Sequence, residues 1–250
     1  TTENRLGEPC RNPWNTARTS GGSSGGAGAS LVAGLCSLAT GGDGGGSIRI
    51  PASFNGVYGI KPTQGRVSSY SGASAPPAFN LFTQEGPMSR TVRDSALLLQ
   101  VLAGYDPRDS GSLREPVPDF QAAAGRGVEG LRIAWSRDYG YTPVEPQVAA
   151  IAERAARVFV ELGCTVDEAD LRLDAPFDTF IPIFATRAYL NQGHLLDDPS
   201  DPLTWYARST IEAGAKVTGR DYARALGRRD VMVQQFADLF EEYDLLLSPT

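Results

Sequence analysis

Gly21-Gly22-Ser23-Ser24-Gly25-Gly26 and, further on, Asp43-Gly44-Gly45-Gly46-Ser47-Ile48-Arg49-Ile50-Pro51 are the segments around which the 250-residue sequence is organised. Of its 28 glycines, 11 lie between residues 21 and 46, and within that stretch Ser23 and Ser47 stand 24 positions apart. Glycine loses more conformational freedom on folding than any other residue, so a run this dense points to backbone that must pass close to another atom. Two objects suit such a cradle. A phosphate would be held by free amides leading into a helix, but a P-loop ends in Lys and Ser/Thr, and the nearest lysine is Lys61. A developing oxyanion needs a nucleophile and several N–H donors aimed at one point, which three glycines running into a serine supply. Ser47 precedes the short apolar run from Ile48 to Phe54, which places its hydroxyl at a helix N-terminus among bare amides.

These two serine segments, together with the continuation through Gly59-Ile60-Lys61-Pro62-Thr63, resemble the amidase signature family. The resemblance continues at Gly86-Pro87-Met88-Ser89-Arg90, Ala103-Gly104-Tyr105-Asp106-Pro107 and Tyr243-Asp244-Leu245-Leu246-Leu247-Ser248-Pro249-Thr250, so it covers essentially the whole chain. It implies a Ser-Ser-Lys triad, with Ser47 as nucleophile and Ser23, in a cis peptide, as the bridging serine. It assigns the oxyanion hole to the backbone amides of Gly44, Gly45, Gly46 and Ser47, and gives Ser24, Asp43 and Arg49 supporting roles around that loop. The implied fold is an α/β amidase-signature fold, a mixed and partly parallel sheet flanked by helices. The family's lysine lies further upstream of the bridging serine than the 22 residues that precede Ser23 here, and neither Lys61 nor Lys216 matches it. The resemblance therefore reads residues 1–250 as one partial amidase domain, truncated at both ends and inactive alone. The expected partner is a small-molecule linear amide, with no cofactor and no metal.

Two other readings stand beside this one. The amidase subunit of a glutamine-dependent aminoacyl-tRNA amidotransferase shares the motif but commonly has Gln where this chain has Ile50. A non-catalytic protein that keeps the fold without the lysine belongs to a different class altogether.

Composition narrows the field. The net charge of −6 and the lack of a basic block argue against a nucleic-acid groove, and no run of 18 apolar residues marks a membrane span. Cys10, Cys36 and Cys164 are odd in number and dispersed, which reads as reduced thiols in a cytoplasmic setting. One histidine, His194, and scattered cysteines offer neither a Ser-His-Asp triad nor zinc-ligand spacing. A homodimer is left open.

Working outward, the small apolar residues from Ser24 to Leu38 predict a tightly packed helix whose positive end lies beside Ser23. Val57–Ile60, closed by Pro62, reads as a central strand. The turn-rich loop from Ser68 to Ala78 suits substrate selection, and Phe79, Leu81 and Phe82 suit either an acyl pocket or core packing. Thr91 with Asp94 three residues on predicts a capped helix ending at Gly104. Leu131–Trp135 reads as a strand, and Val148, Ile151, Ala155, Val158, Phe159 and Leu162 as one helical stripe stopped by Gly163. A further strand starts at Cys164, and strand, helix, strand in that order predicts a parallel pair. Residues 177–240 read as mostly helical, with Arg220, Arg224 and Arg228 on a solvated face. Leu245–Leu247 reads as a last strand, with partners expected beyond Thr250.

Overall fold

The computed structural model describes residues 2–70, 81–198, 200 and 202–250. Their internal contacts divide the chain into two compact units, Thr1–Arg126 with Thr250, and Gly127–Pro249. The expected loop through Pro76 and Pro77, and the pocket residue Phe79, lie outside the described residues.

The first unit begins with a short antiparallel hairpin, β1 (Arg11–Asn12) and β2 (Asn15–Thr19). Helix α1 (Gly25–Val32) follows, then β3 (Leu38–Asp43), α2 (Arg49–Asn55), β4 (Tyr58–Gly59), β5 (Gln84–Ser89), α3 (Val92–Leu102) and the single-turn α4 (Phe120–Ala123). Its sheet is antiparallel with the order β3-β5-β4, so β5 is central and β4 lies outside it, contrary to the central position expected for Val57–Ile60. Strand β5 takes the middle because both neighbours pair with it, Leu38 opposite Ser89 on one side and Tyr58 opposite Ser89 on the other. Helix α1 is also shorter than the run from Ser24 to Leu38. Gly34 adopts φ +73° and its N–H bonds back to Leu31 O, a left-handed stop after which the chain turns into β3.

Under the two serine segments lies a core of Leu31, Ile48, Ala52 and Met88, with Ala27, Cys36, Ala39 and Val57 packed around it. Ile48, the residue after Ser47, is 0% exposed. Burying a side chain of this size stabilises by about 1.5–3 kcal/mol, so the residue next to Ser47 anchors α2 to the sheet. As expected, Thr91 caps α3, its hydroxyl accepting from Asp94 N at 3.1 Å.

The second unit contains β6 (Arg132–Trp135), α5 (Pro146–Glu161), β7 (Thr165–Glu168), α6 (Pro176–Gln192), a 3-10 turn at Gly193–Asp197, α7 (Trp205–Lys216), α8 (Gly219–Glu242) and β8 (Leu245–Leu247). Strands β6 and β7 pair in parallel, as the strand-helix-strand order predicts. Strand β8 pairs in parallel with β6, giving the order β7-β6-β8. Helix α5 packs on β7 through buried Ala149 and Ala156. The larger residues Val148, Ile151, Val158 and Leu162, which the periodicity assigns to the core, are exposed, because small residues one position along give the closer approach to the sheet. Arg220, Arg224 and Arg228 are solvated on α8, which packs against α6. No described helix is long and apolar enough to cross a membrane. Antiparallel and parallel sheets flanked by helices make the chain α/β.

Candidate active site

The segment that carries Ser47 is shaped by one carboxylate. Asp43, the last residue of β3, is fully buried and accepts the N–H groups of Gly46 (2.7 Å), Ile48 (3.2 Å) and Arg49 (3.3 Å). The Arg49 guanidinium closes on it in a two-pronged pair, Nε to Oδ2 and Nη2 to Oδ1, both at 2.9 Å. Burial alone would raise the Asp43 pKa. The bonds from Arg49 and from the Gly46 amide outweigh it and bring the value down to about 2. Gly46 takes φ +103°, where a larger residue is strained, and an added Cβ would meet Ile50 Cδ1 at 2.7 Å. The loop thereby wraps its own anion and releases Ser47 at the mouth of α2, one residue before the N-cap Ile48. Ser47 is half-buried.

Of the four amides assigned to the oxyanion hole, one is engaged within the loop. The Gly46 N–H points into the loop and donates to Asp43 Oδ1, so it is not available to a ligand. Among the described residues, the loop's internal hydrogen bonds use the amides of Gly46, Ile48 and Arg49 and leave those of Gly44, Gly45 and Ser47 open.

The segment that carries Ser23 is brought to Ser47 by the backbone. Ser24 N donates to Ser47 O at 3.1 Å, which sets residue 23 beside residue 47 despite their separation in sequence. The Gly22–Ser23 peptide is cis, and Ser23 is exposed at the start of α1. Ser24 supports through its backbone. Its carbonyl accepts Gly28 N, while its side chain makes no capping bond and stands against Gly41. Of the site residues named from sequence, Ser23, Ser24, Asp43, Gly44, Gly45, Gly46, Ser47 and Arg49 all lie in these two touching segments.

Several supporting side chains escaped sequence reasoning. Asn55, buried at the end of α2, donates from Nδ2 to Ser20 O and to Pro51 O, both at 2.8 Å, and so ties the segment before Ser23 to the helix after Ser47. The hairpin closes the same helix end: Asn12 Nδ2 donates to Phe54 O at 2.7 Å and Trp14 Nε1 to Asn55 O at 2.9 Å. Buried Gln84 bridges β5 to the chain beyond β4, accepting from Gly65 N at 2.7 Å and donating to Val67 O at 2.6 Å. No local pattern marks these carboxamides, because their partners are backbone groups that only the fold brings near.

Lys61 is half-buried beside this machinery and donates to Pro62 O at 3.3 Å. Burial, then the nearby Arg49 charge, lowers its pKa against the opposing pull of Asp43. His194 sits in the 3-10 turn of the second unit. The three cysteines are free thiols.

The family profile described as Amidase matches residues 1–250. The chain is 40% identical to a glutamyl-tRNA(Gln) amidotransferase subunit of Synechococcus sp. (strain RCC307), over 96% of its own length and 54% of that protein's. It is 37% identical to the corresponding protein of Methylococcus capsulatus, which carries the same name, over 97% of its length and 54% of the relative's. It therefore spans about half the length of the curated relatives it matches. Among solved structures it superposes on a bacterial aryl acylamidase of the amidase signature family with a TM-score of 0.87 and 35% identity, covering 96% of this chain and 51% of that one. A 6-aminohexanoate cyclic dimer hydrolase complexed with substrate gives 0.81 and 30%, covering 94% and 51%. With the motif, the fold and a profile match along its whole length in agreement, the chain belongs to the amidase family, in its amidase signature group.

Proposed function

We propose that the protein hydrolyses the C–N bond of a linear carboxylic amide through an acyl-enzyme on Ser47. The observation that carries this reading is the Ser24 N–H to Ser47 O bond. It holds both serines at one place, beside a loop whose Gly44, Gly45 and Ser47 amides are open. Ser47 Oγ attacks the carbonyl carbon while its proton passes through Ser23 toward the family's lysine base. The carbonyl oxygen becomes an oxyanion facing the three open amides, each worth about 10²–10³ in rate in sites of this kind. Ser23 then returns the proton to the leaving nitrogen, and water releases the acid. Asp43 and Arg49 hold the loop and take no part in proton transfer. Both units are proposed to belong to one amidase domain acting in the cytoplasm. The 250-residue chain alone, in which neither lysine matches the base, is expected to turn over little amide.

The test is amine release from an anilide and ammonia release from a primary amide by the full-length protein, with the Ser47→Ala variant beside it. A fall of about 10⁴-fold or more supports the reading, and turnover near the parent's overturns it.

The identities of 36–40% to proteins named as glutamyl-tRNA(Gln) amidotransferase subunits favour a second reading, an amidase component that draws ammonia from glutamine for a tRNA-bound partner. On that reading a nucleic-acid-bearing partner is required, contrary to the sequence expectation. Glutaminase activity that appears only with partner subunits and aminoacyl-tRNA would select it over free amide hydrolysis.

A further inference from the structure

A cavity of about 680 Å³ opens in the second unit at the carboxyl ends of β6 and β7, between residues 136–143 and 168–172. Ligands of open parallel sheets bind at strand carboxyl ends, where the connecting loops diverge, and this volume is that of a small-molecule site. The walls are held in place. Tyr139 has φ 53°, a conformation uncommon for a bulky residue. It is locked by three bonds: its hydroxyl to Ser248 Oγ (2.6 Å), its N–H to Ser136 Oγ (3.1 Å), and its carbonyl accepting Leu173 N (3.0 Å). The last of these ties one wall of the cavity to the other.

The charges lining this space divide into those with a protein partner and those open to water. Arg172 and Asp170 face each other at 3.3 Å, and Asp138 Oδ1 accepts the Gly140 N–H within its own turn at 2.8 Å. The side chains of Arg137, just past β6, and Glu168, the last residue of β7, have neither a hydrogen bond nor an ion-pair partner among the described residues. One guanidinium and one carboxylate, carried by neighbouring parallel strands, complement a ligand that bears one carboxylate and one ammonium. We propose that this cavity is a binding site for a small zwitterion of amino-acid type. Arg137 takes its carboxylate, Glu168 its ammonium, and Tyr141 and Pro143 flank its carbon chain. The residues that line the cavity all belong to the second unit, and the proposal does not depend on the hydrolytic reading.

The probes are glycine and 4-aminobutanoic acid, titrated into the full chain and followed by backbone-amide NMR and calorimetry. Butanoic acid and butylamine serve as ligands that carry one charge each. The expected result is saturable binding of at least one zwitterion, with shifts at residues 136–143 and 168–172. Either single-charge ligand should bind at least tenfold more weakly, as should Arg137→Gln or Glu168→Gln with the parent ligand. Ser47→Ala should leave binding unchanged, which separates this site from hydrolysis. The proposal is overturned if no zwitterion saturates, if butanoate or butylamine binds as tightly, or if either charge variant with unaltered thermal unfolding binds like the parent. The ligand comparison requires no variant to fold.

Discussion

The two units of this chain build structure in opposite ways. In the first, the working loop is made of residues with almost no side chain, and its shape comes from a single buried carboxylate that gathers three amides and a guanidinium. In the second, side-chain periodicity organises a parallel sheet and long helices, and α5 meets its strand through alanines while its larger apolar residues face outward. The difference teaches where each unit is vulnerable. The first depends on a few irreplaceable contacts under the serines. The second distributes its stability over many small ones.

Substitutions at isoleucines on helices of the two units sharpen that contrast most. Ile48→Ala removes a fully buried side chain from beneath Ser47 and is expected to cost about 4 kcal/mol in denaturant unfolding. Ile151→Ala, at a position half exposed on α5, should fall within about 0.5 kcal/mol. Equal costs would break the comparison, since they would mean that the α5 stripe is covered in solution.

Asp43→Asn comes next, at about 2–3 kcal/mol, because an amide oxygen replaces an ion that accepts five bonds. It also gives a pH signature. The folded-state pKa of Asp43, about 2, lies below its ordinary value of 3.8, so its stabilising effect is complete above that ordinary range and is lost as pH falls from about 4 toward 2. Asp106, held low by Arg108, titrates over the same range at a half-buried position, so the variant is needed to isolate Asp43. Thermal unfolding between about pH 6 and 2 should fall less steeply in Asp43→Asn than in the parent; identical slopes would remove Asp43 from this role.

A smaller effect than that of Asp43 is expected from a helix cap in the second unit. Thr218 and Asp221 form a reciprocal capping box at the start of α8, with each side chain accepting the other residue's N–H at 3.2 Å. Thr218→Ala should lower stability by about 1 kcal/mol, read as loss of hydrogen-exchange protection confined to the first turns of α8.

The units also differed in how legible they were. The βαβ element around α5 and the capped helix at Thr91 could be read from period and caps alone, because both signals are local. Strands β3 and β5 could not. They carry Gly41, Gly42, Gly86 and Pro87, residues that ordinarily argue against a strand, and they are extended only because they pair with each other and pack against the core that contains Leu31 and Ile48. Asn55 and Gln84 were equally silent, since a carboxamide's worth depends on carbonyls that arrive from 17 to 35 positions away.

By itself, then, the sequence determined the family and the parallel pairing of the two strands that flank α5, because motif residues and regular apolar spacing are properties of neighbouring residues. Only the tertiary structure decided which amides of the 44–47 loop stay open, that Gly46 turns inward, and that α5 shows its larger face to solvent. Those outcomes depend on hydrogen-bond acceptors and packing surfaces supplied by distant parts of the chain.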